Sequence, residues 1–124
     1  MNSYAVAERI NAEINHSVSY MTDFEQYGIP EMWRLARPGG YEDCDGYMLT
    51  KWRSLLDKGW PAEKLVLALC WVETGEYHAV LVAETDQGVF ALDNRHPSPM
   101  VPSKLPYRWD KGLRGTEWHE LSFS

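Results

Sequence analysis

Chemistry in this chain begins with a thiol. Cys44 lies within Pro38-Gly39-Gly40-Tyr41-Glu42-Asp43-Cys44-Asp45-Gly46-Tyr47, where a proline and two glycines break the pattern before it. From Asp43 onward, Tyr47, Met48, Trp52, Leu55 and Leu56 fall at helical spacing, and Gly59 followed by Pro61 ends the run. The spacing therefore predicts a sulfur at a helix N-terminus, where free N–H groups and the helix dipole favour a thiolate. The plainer alternative is a small buried hydrophobe, the commoner fate of a free cysteine. Glu42, Asp43 and Asp45 complicate the site, because carboxylates so close oppose ionisation of the sulfur. A cation such as Ca²⁺, held by Asp43 and Asp45, would neutralise them. Capping of the helix by Asp43 would account for one carboxylate with no metal at all.

A thiol nucleophile needs a base for its proton and a third group to orient that base. Four histidines are available, at 16, 78, 96 and 119. His78 opens Tyr77-His78-Ala79-Val80-Leu81-Val82, a strand pattern in which it shares a face with Val80 and Val82. That face is expected to pack inward. If Glu84 pairs with Gln87 across a tight turn, residue 93 stands directly opposite residue 78. If Thr85 pairs with Gly88 instead, the two are diagonal neighbours on one face. Either register puts the Asp93 carboxylate beside the His78 imidazole, where it can orient the ring and stabilise its cation. An odd-length loop would separate them. His96, in a proline-flanked loop, is the second candidate for the base. His16 and His119 are expected on the surface.

These groups have to be carried by a scaffold. A helix is expected from about Tyr4 to Tyr20, with Val6, Ile10, Ile14 and Val18 as its apolar stripe and Asn11 and Asn15 off it. A short apolar turn follows at Met32, Trp33 and Leu35. After the cysteine helix the period becomes strand-like. Leu65–Val72, Tyr77–Ala83 and Val89–Leu92 read as three strands joined by turns at Thr74-Gly75-Glu76 and Thr85-Asp86-Gln87-Gly88, an antiparallel meander. Beyond Asn94 lies a proline-rich wrapped segment, with a last short strand at Glu117–Phe123. Helices followed by sheet make an α+β layout in one domain, residues 1–124.

Composition narrows the functions available. An apolar fraction of 44% with six tryptophans describes a chain able to bury a core, so neither disorder nor a membrane span fits. The net charge of −6, with no basic cluster, argues against nucleic acid as a partner. Cys70 sits in the apolar run Leu65-Val66-Leu67-Ala68-Leu69-Cys70-Trp71-Val72 and is expected in the core. One disulfide with Cys44 is conceivable, but two cysteines make no disulfide framework. No cysteine or histidine pair has zinc-finger spacing. The first residues lack the basic and apolar blocks of a signal peptide. The expectation is a protein cytoplasmic as made, reaching the periplasm only by another route.

The ordered set resembles the bacterial transglutaminase-like cysteine peptidases, the family of the LapG-type periplasmic proteases. It comprises Asp43-Cys44-Asp45, His78-Ala79-Val80-Leu81 and Ala91-Leu92-Asp93-Asn94. The likeness also takes in Ile14-Asn15-His16-Ser17-Val18-Ser19-Tyr20-Met21-Thr22-Asp23, Tyr27-Gly28 and Trp33, and so spans roughly residues 10 to 95. It implies a papain-like core with the nucleophile helix packed on an antiparallel sheet. Cys44 would be nucleophile, His78 base and acid, and Asp93 orienter. It also implies calcium at Asp43 and Asp45, although Gly46 stands where the family carries a further acidic residue. The reaction expected is amide hydrolysis through a thioester, on a protein or peptide substrate. Trp33 is a guess at a substrate contact or second oxyanion donor. Peptidoglycan stem peptides, cut by an enzyme of phage-lysis type, are one alternative. A catalytically silent papain-like module that only binds a partner is another.

Overall fold

A computed structural model of the chain describes residues 3–16, 33 and 43–123. Among these are two helices, α1 (Ser3–Asn15) and α2 (Asp43–Asp57), and five strands. The strands are β1 (Leu65–Trp71), β2 (Tyr77–Thr85), β3 (Gly88–Leu92), β4 (Arg108–Arg114) and β5 (Glu117–Glu120). The first helix keeps its expected stripe in Ile10 and Ile14, both buried. Val18, Met32 and Leu35 lie outside the described residues, as does the expected helix beyond His16. Asn11 departs from expectation, being fully buried rather than off the apolar face. The N-terminus of α1 is held by a distant turn, where Asp86 Oδ1 accepts from the Tyr4 amide at 2.9 Å and the Ser3 hydroxyl at 3.0 Å. Those bonds, the Tyr4 amide first, hold the Asp86 carboxyl below its usual range.

The end of α2 follows from its glycine. Gly59 adopts φ +92°, its N–H reaching the Leu56 carbonyl at 2.9 Å while the Trp60 N–H reaches that of Leu55 at 3.0 Å. This paired closure satisfies two carbonyls that the helix leaves open, and the left-handed angle suits glycine.

The five strands form one antiparallel sheet in the order β3-β2-β1-β4-β5. The expected meander is its β1-β2-β3 portion. Both faces are covered, which explains why central β1 is a continuous apolar run rather than an alternating one. Leu67, Leu69, Ala79 and Leu81 pack against Ile10, Ile14, Met48 and Leu55 of the helices. On the other face, Val66, Ala68 and Val82 meet Trp109, Leu121 and Phe123, while Cys70 and Val80 meet Leu105 and Tyr107. The Val80 and Val82 face thus does pack inward, but beneath the C-terminal segment and not beneath the helices.

The segment after the prolines corrects the sequence reading. Arg108–Arg114 is a strand, paired with β1, and the last strand, shorter than expected at Glu117–Glu120, rejoins the sheet beside it. Two charges and a glycine at Asp110, Lys111 and Gly112 hide its strand character. Asp110 is the extra residue of a bulge opposite Leu69 and Cys70, and its carboxylate accepts the Tyr77 hydroxyl. Gly112 is required by close approach: a Cβ there would stand 2.4 Å from Val66 Cγ1 and 2.9 Å from Leu121 Cδ1. Val66 is β-branched within the central strand and has little room to turn. Gly112→Ala is therefore expected to destabilise the fold by about 1–3 kcal/mol, measured by urea denaturation. An unchanged midpoint would show that the two side chains yield freely.

Candidate active site

The β2–β3 hairpin takes the second of the two expected registers. Thr85 pairs with Gly88 and Leu81 with Leu92, so His78 and Asp93 lie diagonally just beyond the end of that ladder. Their side chains meet, with His78 Nε2 2.7 Å from Asp93 Oδ1, and both residues are buried. Asp93 is anchored from several directions. The Tyr107 hydroxyl donates to Oδ2 at 2.5 Å and the Arg95 amide to Oδ1 at 3.1 Å. Arg95 Nη1 in turn donates to the Tyr107 oxygen at 3.0 Å, and the guanidinium grips both oxygens of Glu73 at 2.8 Å.

Burial pushes the Asp93 carboxyl up, but the His78 hydrogen bond and charge, the Tyr107 hydroxyl and the Arg95 amide together hold it below the usual carboxylate range. An ionised carboxylate only accepts, so His78 Nε2 is the donor. The ring's other nitrogen, Nδ1, is then the one with a lone pair to offer. Tyr107 responds oppositely: burial first, then its bond to Asp93, raises its phenol.

Cys44 stands in the first turn of α2, 7% exposed. Its thiol donates to Asp45 Oδ1 at 3.5 Å. Cys44 and His78 line one open cavity of about 500 Å³ at the end of the sheet, together with Val72, Thr74, Glu76, Tyr77, Asn94 and Arg95. The structure thus brings His78 and Asp93 into direct contact and puts the sulfur in the same cavity. Cys70 is fully buried in β1, and burial, followed by the Asp93 charge, pushes its thiol up to about 12. The two sulfurs are not joined in a disulfide. A sulfur so hard to ionise is a core residue, as its apolar run suggested.

Asp45 and Trp33 have a shared structural task. Asp45 is fully buried, and its Oδ2 accepts the Trp33 indole N–H at 3.2 Å while Oδ1 faces the Cys44 thiol. Trp33 is itself fully buried and stacks on Trp118, with centroids 5.9 Å apart. Its indole N–H is committed to Asp45, so the guessed substrate contact has no exposed side-chain surface or free side-chain donor on which to rest. The Asp43 side chain lies outside the described residues. Calcium asks for six to eight oxygen ligands. Asp45 turns its oxygens to protein donors, Gly46 supplies no side chain, and no group of three or more His, Cys, Asp or Glu among the described residues could hold a metal. The described side chains by themselves assemble no calcium site, and that of Asp43, half of the expected pair, is not among them.

The remaining histidines fall away from the cavity. His96 Nε2 is 3.4 Å from the Tyr107 hydroxyl, behind Asp93. His16 and His119 are exposed. Several supporting residues escaped the sequence reading. Tyr107 comes from a proline-rich segment with no periodic signal. Asn15 and Asn11, one helical turn apart, hold the loop after β3: Asn15 Nδ2 donates to the Asp93 and His96 carbonyls, each at 3.1 Å. Their four-residue spacing on one helix face was the available clue.

A helix presenting a cysteine to the end of an antiparallel sheet, beside a histidine–carboxylate pair, is the architecture of transglutaminase-like folds. Solved structures agree. The chain is similar to calcium-bound LapG of Legionella pneumophila, with a TM-score of 0.63 at 15% identity over 92% of this chain and 66% of that one. It is also similar to EGTA-treated LapG of the same organism, with a TM-score of 0.67 at 18% identity over 94% of this chain. The chain spans 66% of the length of these structures. No curated protein sequence matches it. The model of the bacterial transglutaminase-like cysteine proteinases matches residues 2–122, and the chain belongs to that family.

Proposed function

We propose that this protein is a cysteine peptidase in which Cys44 is the nucleophile, His78 the base and acid, and Asp93 the group that orients His78. The buried 2.7 Å bond between His78 and Asp93, in a cavity that Cys44 shares, carries this reading. With Nε2–H tied to Asp93, His78 Nδ1 takes the Cys44 proton as the sulfur swings from Asp45. The thiolate attacks an amide carbonyl, and an S–C bond forms. The resulting oxyanion meets the Cys44 main-chain N–H, one of the first-turn donors that a helix leaves open. His78 then gives its proton to the leaving nitrogen as the C–N bond breaks. Water, deprotonated by His78, cleaves the thioester and restores the thiol.

The test is selective alkylation of the purified protein by iodoacetamide at neutral pH, read at each cysteine by mass spectrometry. Cys44 is expected to react far faster than Cys70, and His78→Ala is expected to remove the difference. The same rates measured with and without EGTA test whether the Asp43–Asp45 pair needs calcium. Equal sluggishness at both sulfurs would instead identify a binding module on a peptidase fold. Substrate class follows from digesting a peptide library and peptidoglycan stem peptides with the same protein.

A further inference from the structure

Lys51 plays no part in the reaction above, yet it shares the inward face of α2 with Cys44, Met48 and Leu55. All four are buried, Lys51 completely. Its Nζ donates to the main-chain carbonyl of Leu92 at 3.3 Å. Among the described residues this is the amine's one hydrogen bond, though an ammonium has three N–H groups to satisfy. Burial draws the group down to about 7, with the Asp93 carboxylate pulling the other way. A methionine would fill nearly the same space with no cation to bury. Packing therefore does not account for a lysine at this point.

The position of the bond does. The Leu92 carbonyl and the Asp93 nitrogen belong to one rigid peptide plane, so fixing that oxygen fixes the plane from which the Asp93 side chain departs. On its other flank, the Asp93 carbonyl is held by Asn15 Nδ2 of α1 at 3.1 Å. Asp93 lies one residue past the last β2–β3 pair, Leu81 with Leu92. Two helices thus hold the two peptide planes on either side of a residue the ladder has released.

We propose that Lys51 is a positioning residue for the His78–Asp93 pair, tying the helix that carries Cys44 to the strand end from which Asp93 departs. Its effect on turnover rests on the peptidase reading, but its effect on the pair does not. The experiment is Lys51→Met in the full chain, followed by the downfield proton resonance of the His78–Asp93 hydrogen bond, the pH profile of Cys44 alkylation, and the thermal midpoint. The expected result is a midpoint at or above that of the unmutated protein, a resonance shifted or lost, and Cys44 alkylation slowed by about tenfold or more.

A folded Lys51→Met protein with an unaltered resonance and alkylation profile would overturn the proposal. Should that variant not fold, Lys51→Gln keeps an N–H donor on a shorter arm. A weakened or missing resonance there supports the positioning role, and an unaltered one overturns it. Failure of the peptidase reading has a different signature, namely slow Cys44 alkylation in the unmutated protein with the His78–Asp93 resonance intact.

Discussion

Cys44→Ala and His78→Ala proteins are expected to hydrolyse a verified peptide substrate about 10⁵- to 10⁶-fold more slowly than the unmutated protein, and the double variant no more slowly than either. The non-additivity is the informative part. A thiol without its base and a base without its thiol each leave the same incomplete reaction, so the second loss removes nothing further. Cys44 belongs to the helix-side core cluster, but trimming one sulfur there is a small volume change. Circular dichroism should therefore show an intact fold. Cys70→Ala is the control: that thiol is buried in β1 and hard to ionise, so its loss should alter stability and spare turnover. Substantial hydrolysis by Cys44→Ala would sink the assignment, and loss of activity in Cys70→Ala with a native fold would redirect it.

Asp93→Asn is expected to lower kcat by about 10⁴-fold with a smaller effect on KM. The carboxylate accepts from His78 Nε2 and so leaves the Nδ1 lone pair for the thiol proton. An amide can present its own N–H instead, drawing the ring into the other tautomer and placing a proton where the lone pair is needed. The same substitution should change the acid limb of stability. Asp93 is held below the usual carboxylate range in the folded protein, so the unfolded chain takes up its proton first as pH falls. The stabilisation is complete above the unfolded carboxyl's pKa of about 3.9. It is lost as pH drops through the lower folded value. Urea midpoints of the unmutated protein should decline more steeply below about pH 4 than those of Asp93→Asn. Parallel curves would mean that Asp93 is not the buried, paired anion described above.

Much of this site could be read from local pattern because its parts are local devices. The glycine break before Asp43, the spacing from Tyr47 to Leu56 and the stop at Gly59 define α2 from within one window. The two hairpin registers differ, but both have the same parity, so His78 and Asp93 come together whichever turn forms. What supports them was not legible in the same way. Tyr107 reaches Asp93 from a segment without periodicity, and Arg108–Arg114 reads as polar because the bulge at Asp110 and the glycine at position 112 interrupt its alternation. Asn11 and Asn15 look like surface amides until the loop after β3 arrives to use them. Trp33 looked like a substrate contact, and only packing against Trp118 and Asp45 shows it enclosed.

Amino-acid order alone was enough to place a thiol at a helix start and an imidazole beside a carboxylate, since both follow from backbone periods of 3.6 and 2 residues. Which groups then hold that carboxylate and the backbone on either side of it was decided by the closed fold. Tyr107, Arg95, Asn15 and Lys51 come from four places in the chain, and no periodicity relates them. Nor could spacing reveal that Asp45 would be sealed beneath Trp33, because burial belongs to the assembled layers and not to any segment. Hydrogen bonds in a water-poor interior are settled by which elements pack, and that choice is made by the core as a whole.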